Sequence, residues 1–456
     1  MQLENNYKLL KINKEHYLGR RKMVLLSLSC IFIAILLYLR DVIDLNINKN
    51  VFMIIVFITN IFLAKIEYII AFQCFLIPLY VGIPGNYISL IFLSFLLYEA
   101  LKKNKFKVNI LQLLLFLLVI IIEVWNANDS TFNSVLYFIF EFIIIFILIN
   151  LDIKNYNSKL NITIFGIGTI TLCSILLGIG LKYFSFEEFI TGYVRFGDIT
   201  EYYGVNYNNM ILTMDPNFIG MFCIISIITN YICFYFEKNK LLKLIYIALM
   251  IGLSFFGFIT LSRTFFILYL IFIICTMTMY MKFNIKSMIS LIIFFVLILI
   301  GINFVNNKFP EIATTFEQRF QESNSTTLGG RTDIISMYLN AMKDRPQSIL
   351  IGSGLMSQLS NLNISHQVHN TTLQYFVGFG ILGSLIIVIF ITMVILKKIK
   401  LIGTKIYLYS FAPMVIYVFY IQMLPAAYPI NFVFISIITL YSFEYYNYKK
   451  RREYEK

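Results

Sequence analysis

Apolar residues in this chain do not alternate with polar ones at the period of a strand or a surface helix; they run on in long blocks closed by short polar segments. Fourteen blocks can be read, at roughly 23–39, 51–64, 68–81, 87–100, 108–125, 133–150, 162–181, 210–236, 244–261, 264–281, 287–305, 371–396, 405–423 and 428–446. An apolar helix needs about 20 residues to cross a bilayer, and lipid tolerates only elements that satisfy their own backbone. The pattern therefore predicts an all-α polytopic membrane protein with about 14 transmembrane helices and one large extracytoplasmic loop. The first block, Met23 to Leu39, has no small-residue cleavage site after it and is expected to stay as a signal anchor. The second and third blocks are short, and Lys65 and Glu67 between them are read as a turn, not as the middle of one longer span.

Composition changes this picture little: 59% hydrophobic and 13% charged residues in a chain of 456 exclude a soluble domain. The net charge of +13 would suit nucleic acid or acidic lipid, but the cations lie at block ends, so no nucleic-acid partner is expected. With a cytoplasmic N-terminus, 27 of the 37 Lys and Arg fall inside and 10 outside, which places both termini in the cytoplasm. All six Cys sit within apolar blocks, where packing or lipid contact explains them better than disulfides or metal ligation.

The expected organisation is N-terminal transmembrane helices over 1–181, a first extracytoplasmic loop over 182–209, central helices over 210–305, a large extracytoplasmic loop over 306–370, and C-terminal helices with a basic cytoplasmic tail over 371–456. The two outer loops are too long for simple turns and are where function is expected. In the larger one, "GGRTDIISMYLNAMKDRP" puts Ile334, Ile335, Tyr338, Leu339 and Met342 on one helical face, with Pro346 forbidding continuation. A helix lying on the membrane surface is expected there.

Candidate chemistry lies on the outer side. The inner cations are mostly Lys, whereas Arg40, Arg195, Arg263, Arg319, Arg331 and Arg345 make up most of the outer ones. A guanidinium is always charged and its planar fork matches two phosphate oxygens, so such a set suits a phosphate or diphosphate; head-group contact or loop salt bridges are the plainer explanation for any one of them. Arg263, in "FITLSRTFFILY", interrupts an apolar stretch twice the length of a span and must sit in a tight turn near the outer face. Asp215, in "MDPNFIG", is either the N-cap of a helix that Pro216 begins or a carboxylate that orients a sugar hydroxyl or a nearby Arg. Gly352 and Gly354 would let backbone approach a bulky ligand closely. His369 stands where the wet loop meets an apolar span, and an imidazole with an unperturbed pKa near 6.5 suits a general base. His366 makes a metal pair conceivable, but no third ligand is near in the sequence. Glu141, in mid-block, is read as internally paired or as part of a proton path.

These residues resemble a known family. "HNTTLQYFVGFGILG" follows the pattern His-Asn, nine residues, Gly, two residues, Gly that is typical of the O-antigen ligase and polymerase (Wzy) superfamily, at His369, Asn370, Gly380 and Gly383. "GGRTDIISMYLNAMKDRPQSILIGSGL" is similar to the stretch that precedes it in that family, with Arg331, Gly352 and Gly354 in matching places, and "LSRTFF" and "DPNFIG" are similar to upstream features. The resemblance covers roughly residues 190–400; the family's aromatic after the Gly-Arg-Thr stretch is replaced here by Ile334 and Ile335. It implies a GT-C-like membrane enzyme of the bacterial plasma membrane: a metal-independent, cofactor-free inverting glycosyltransferase. Donor and acceptor would be polyprenyl-diphosphate-linked oligosaccharides, with membrane lipid around it and a chain-length regulator as a candidate partner. Catalytic roles would fall to His369 and Asp215, and substrate binding to Arg195, Arg263, Arg331, Asn370, Gly352 and Gly354. Polymerisation of repeat units of a surface polysaccharide is the favoured activity. Ligation of finished glycan to another acceptor and flipping of lipid-linked sugars are the alternatives, although a flippase predicts a polar midplane cavity and short outer loops.

Overall fold

The computed structural model describes residues 2–103, 109–150, 156–197, 214–280, 331–365, 370–402, 408–422, 424 and 429–454, with isolated residues between 289 and 317. Among these there are helices and no strands. In chain order they are α1 (Gln2–Asp41), α2 (Lys49–Leu63), α3 (Ile66–Leu76), α4 (Gly85–Lys103), α5 (Ile110–Trp125), α6 (Phe132–Asn150), α7 (Tyr156–Gly180), α8 (Phe186–Thr191), α9 (Pro216–Phe236), α10 (Lys240–Ile259) and α11 (Arg263–Tyr280). After residue 330 come α12 (Arg331–Asp344), α13 (Pro346–Ile351), α14 (Gln358–Leu362), α15 (Thr371–Ile402), α16 (Ala412–Ile421) and α17 (Pro429–Tyr454). Among the described residues six helices are long and apolar enough to cross a membrane, within α1, α6, α7, α9, α10 and α15, and there are shorter apolar helices besides. The protein is thus a helical polytopic membrane protein. The block at 287–305 falls almost wholly outside the described residues.

The short second and third blocks are separate antiparallel helices. Ala64 takes a left-handed conformation (φ 53°) and Lys65 an extended one, which ends α2 and turns the chain. Lys22 of α1 reaches the Phe62 carbonyl at the end of α2, while the Tyr68 hydroxyl at the start of α3 donates to the Gly19 carbonyl. At the other end of α1, Arg40 lies over the Phe52 ring. Both sides of the 64–65 turn therefore sit at one end of α1, as a hairpin requires.

The helices sort by how their apolar surface is used. α3 and α9 are buried nearly all round and form the centre of the bundle with α7, against which α3 packs so closely that a Cβ on Gly168 would lie 2.4 Å from the Phe75 carbonyl. α1 buries Leu26, Ile33 and Leu37 and leaves Val24, Leu28, Ile31 and Ile35 exposed, a lipid-facing stripe. A second layer is made by α5, α6 and α15, where Phe116, Phe138, Phe142 and Phe390 stack across the helices.

The expectation for 331–346 needs correction. α12 forms and Pro346 does end it, becoming the first residue of α13. Its buried stripe, however, is Ile334, Met337, Tyr338, Ala341 and Met342, which packs on Leu362, Ile364, Leu373 and Val377; Leu339 points away, 43% exposed. The small Ala341 lies in the seam where α12 packs on α15 and the 362–364 segment.

α15 is not one continuous helix. Gly380 interrupts it with φ 62° and ψ −168°. Before the break Gln374, Val377 and Phe379 are buried, Val377 in one cluster with α12; after it Ile381, Leu382, Leu385 and Val388 are exposed apolar residues. The segment after α13 closes into the gap: Ser353 N–H bonds the Val377 carbonyl (3.0 Å) and Gly354 N–H the Gly378 carbonyl (2.8 Å). A Cβ on Gly380 would lie 2.5 Å from both Gly352 N and the Leu350 carbonyl oxygen. Gly380→Ala is expected to cost about 3 kcal/mol or more, from a backbone conformation that L-residues avoid and from overlap with main chain. Gly252→Ala, where the near atom is the mobile tip of Ile170, should stay within about 1 kcal/mol. Thermal unfolding of both variants in detergent checks this pair.

Candidate functional site

The first loop, the α10–α11 turn and the start of α9 meet at one end of the bundle. Val194, Phe196 and Gly197 are buried while Arg195 between them is only half-buried; the alternation faces the guanidinium out of the apolar layer. Phe196 anchors the segment, its ring stacked on Phe256 and its N–H bonded to the Ile259 carbonyl at 3.2 Å. Arg195 Nε then donates to the Thr260 carbonyl (3.4 Å), just past the C-terminus of α10, where the helix dipole favours a cation. Gly197 is held at φ 100°, and a Cβ there would lie 2.6 Å from the Met214 carbonyl oxygen, so the loop runs directly against the entry to α9.

The α10–α11 turn is as tight as its sequence requires: only Thr260, Leu261 and Ser262 separate the two helices. Gly257 makes room for the Phe265 ring across the hairpin, and Leu261 takes the left-handed region (φ 52°), a strained place for a branched side chain. Ser262 Oγ accepts from Phe265 N–H (3.4 Å) and caps α11, leaving Arg263 as its first residue, half-buried. Asp215 caps α9 in the same manner, Oδ1 accepting from Asn217 N–H at 2.7 Å, with Pro216 at the first helical position. Its side chain is exposed. Both Asp215 and Arg195 lie within electrostatic reach of the Tyr420 hydroxyl, which is 3.0 Å from Ser262 Oγ.

Asn370 is also a helix cap: its Oδ1 accepts from Leu373 N–H at 2.9 Å and its carbonyl from Gln374 N–H, so the chain's entry into α15 is fixed one residue after His369. This entry is tied to the end of α16, with Thr371 Oγ1 donating to the Leu424 carbonyl (2.9 Å) and Thr372 Oγ1 to Gln422 Oε1 (2.7 Å). The structure thus brings Arg195 and Asp215 to the Ser262 turn that Arg263 follows, and joins Asn370 to that turn through α16.

The other sequence candidates are placed differently. Gly352 and Gly354, at φ 80° and 79°, face the protein's own backbone at Gly378 and the side chain of Asn126. They lie about 12 Å along α15 from Asn370, taking 1.5 Å per helical residue. Their glycine character is explained by that seam. Arg331 begins α12, and its side chain lies outside the described residues, as do His366, His369 and Arg319. Arg40 is held by Asp41 in a two-point ion pair, and Arg345 donates to the Asn361 carbonyl, so these two arginines have structural work. Glu141 is 3% exposed in α6, and no partner reaches its Oε2. Among the described residues no three His, Cys, Asp or Glu side chains converge as a metal site needs.

Sequence reasoning missed the seat of the larger loop. Glu123, fully buried near the end of α5, accepts from Leu355 N–H (2.8 Å) and Met356 N–H (2.7 Å). The α5–α6 turn adds Asn126, whose carbonyl takes Asn361 Nδ2, Asn128, which reaches Ser360 and Asn361, and Thr131, which meets Ser357 Oγ at 2.8 Å. A carboxylate inside the apolar run "LLVIIIEVW" was the available signal. These two hydrogen bonds, each contributing roughly 0.5 to 1.5 kcal/mol, help pin the 353–361 segment over α5 and α15.

The fold and this end of the bundle define a class: a polytopic helical membrane protein with cationic and carboxylate side chains gathered at the ends of its spans. Compared with protein families, residues 245–388 match a model described as O-antigen ligase, and this match supports membership of the O-antigen ligase and polymerase superfamily, whose members are glycosyltransferase-like enzymes. The matched stretch includes Arg263, Arg331, Gly352, Gly354, His369 and Asn370, and it begins after Arg195 and Asp215. No curated protein and no solved structure matches the chain.

Asn caps a helix as well as Asp does, which separates the two roles of Asp215. Asp215→Asn should keep the melting temperature of the native chain and lose glycosyl transfer, whereas Asp215→Ala should lose transfer and about 1 kcal/mol of stability as well. Full transfer by Asp215→Asn would reduce Asp215 to a cap.

Proposed function

We propose that this protein polymerises repeat units of a bacterial surface polysaccharide, taking its donor glycan from a polyprenyl diphosphate in the plasma membrane and inverting the anomeric centre without a metal. The observation that carries the reading is the gathering of Arg195, Arg263 and Asp215 around the Ser262 turn, linked through α16 to the helix that Asn370 caps. The family match at residues 245–388 supports it. In this reading fourteen spans hold both termini in the cytoplasm and the 306–370 loop outside. Three guanidiniums, from Arg195, Arg263 and Arg331, grip the donor diphosphate at the membrane edge, where its lipid tail keeps it. Each charge-assisted contact contributes roughly 1.5 to 3 kcal/mol and grows stronger as negative charge builds on the leaving group. The acceptor hydroxyl oxygen attacks the anomeric carbon from the face opposite the diphosphate. As the new C–O bond forms, the bond to the diphosphate oxygen breaks and its electron pair leaves with the lipid-linked diphosphate. His369 takes the hydroxyl proton, Asp215 orients a sugar hydroxyl or a neighbouring Arg, and Asn370 fixes the entry to α15. Gly352 and Gly354 serve the site through the seam that holds the loop.

A ligase that moves finished glycan to another acceptor uses the same machinery and is equally compatible with the family match. Purified protein incubated with one lipid-linked repeat unit separates the two: a polymerase gives a ladder, a ligase gives transfer only when its own acceptor is added, and no product in either case contradicts both.

In that assay His369→Ala should lower turnover by about 10² to 10⁴ with donor affinity nearly unchanged, since the proton moves only on the way to the transition state. His366→Ala should be mild, and chelator should not inhibit the native enzyme. A folded, fully active His369→Ala removes the proposed base; equal damage from both substitutions together with chelator sensitivity would point to a metal instead. For orientation, a Cys placed at Ser325 should react with an impermeant reagent added outside intact cells, and one at Lys103 should not; the reverse labelling inverts the topology.

A further inference from the structure

Tyr420, near the end of α16, has no exposed surface, yet its ring carries a hydroxyl that burial obliges to find a partner. That partner is Ser262 Oγ at 3.0 Å, the cap of the helix that Arg263 begins. The same hydroxyl comes down on α9 at Gly220, where a Cβ would lie 2.4 Å from it, so any larger residue there would displace it. Gly220 is five positions after Asp215, and Ser262 is two positions after Thr260, whose carbonyl takes Arg195 Nε. In the other direction, Gln422 and Leu424 accept from Thr372 and Thr371, which directly follow Asn370. One hydroxyl therefore stands between the arginine turn and the segment leading to His369. A ring serving only to fill volume would need neither the hydroxyl nor the glycine cut out for it.

We propose that Tyr420 is a positioning residue for a lipid-linked diphosphate donor: by fixing the Ser262 turn against α9 and α16, its hydroxyl sets Arg195 and Arg263 at the separation the diphosphate requires. This rests on the reading of those two arginines as diphosphate ligands. Being fully buried, the hydroxyl acts through Ser262 and touches no substrate.

The test measures donor KM, kcat and melting temperature of the full-length protein for Tyr420→Phe, Ser262→Ala, their double variant and Arg263→Ala. Tyr68→Phe, which loses a hydroxyl bonded to the Gly19 carbonyl elsewhere in the fold, is the control. Tyr420→Phe should raise donor KM by about 10- to 100-fold, the scale of a small misplacement of binding groups, with kcat changed far less and the melting temperature close to native. Ser262→Ala should match it in KM while also losing the cap of α11. The double variant should be no worse in KM than the worse single, because both act through one bond. Tyr68→Phe should leave KM alone. If Tyr420→Phe leaves donor KM unchanged while Arg263→Ala raises it, the positioning role is wrong and the diphosphate site stands. If Tyr420→Phe only lowers the melting temperature, or the two substitutions add, Tyr420 is packing alone. If Arg263→Ala itself binds donor normally, the diphosphate reading fails and this proposal falls with it.

Discussion

A helix can be interrupted inside an apolar layer only where other backbone closes the gap, because each unpaired N–H or C=O there costs several kcal/mol. At Gly380 the closing backbone is that of residues 350–354, and no side chain fits between the two main chains. That single contact determines much of the rest. It changes α15 from a segment buried among other helices into one with exposed apolar residues, gives α12 a floor to pack on, and brings Leu355 and Met356 within reach of the Glu123 carboxylate. The glycines at 352, 378 and 380 form one feature with one cause, close approach of two main-chain segments, while Gly354 faces the Asn126 side chain.

A second economy of structure lies at the span ends. Asp215, Ser262 and Asn370 each cap a helix; Asp215 and Asn370 belong to the proposed site themselves, and Ser262 adjoins Arg263. Capping satisfies backbone donors that would otherwise face an apolar layer, and it also fixes the direction in which the chain arrives. Arg263 is thus placed by its neighbour's backbone bonds, as the residue that follows the cap of α11. Polar groups that the membrane edge demands for structural reasons are the same groups that make a rigid platform for a charged ligand.

Where physics acts locally, the chain could be read directly. Unbroken apolar runs became helices, the break at Lys65 became a hairpin, Asp215-Pro216 became a capped helix start, and the interval around Arg263 became a three-residue turn. What could not be read were contacts set by distant partners. The apolar face of α12 was visible, but its exact stripe depends on how Ala341 settles against Val377 and Leu373. Gly352 and Gly354 announced close approach without saying to what. Glu123 looked like any other acid in an apolar run, as Glu141 did, and only the fold sets two backbone N–H groups against it. Tyr420 is one of 31 Tyr, and nothing local distinguishes it.

The central claim is chemical: an acceptor hydroxyl displaces a lipid diphosphate at the end of this bundle, with protein groups alone as catalysts. The most direct measurement is the anomeric configuration, determined by NMR, of the linkage formed when purified protein and a lipid-linked repeat unit of known configuration react in the presence of chelator. The account predicts a new glycosidic bond of inverted configuration and release of polyprenyl diphosphate in equal amount. A linkage of retained configuration, or a reaction that stops when metal is withdrawn, would contradict it.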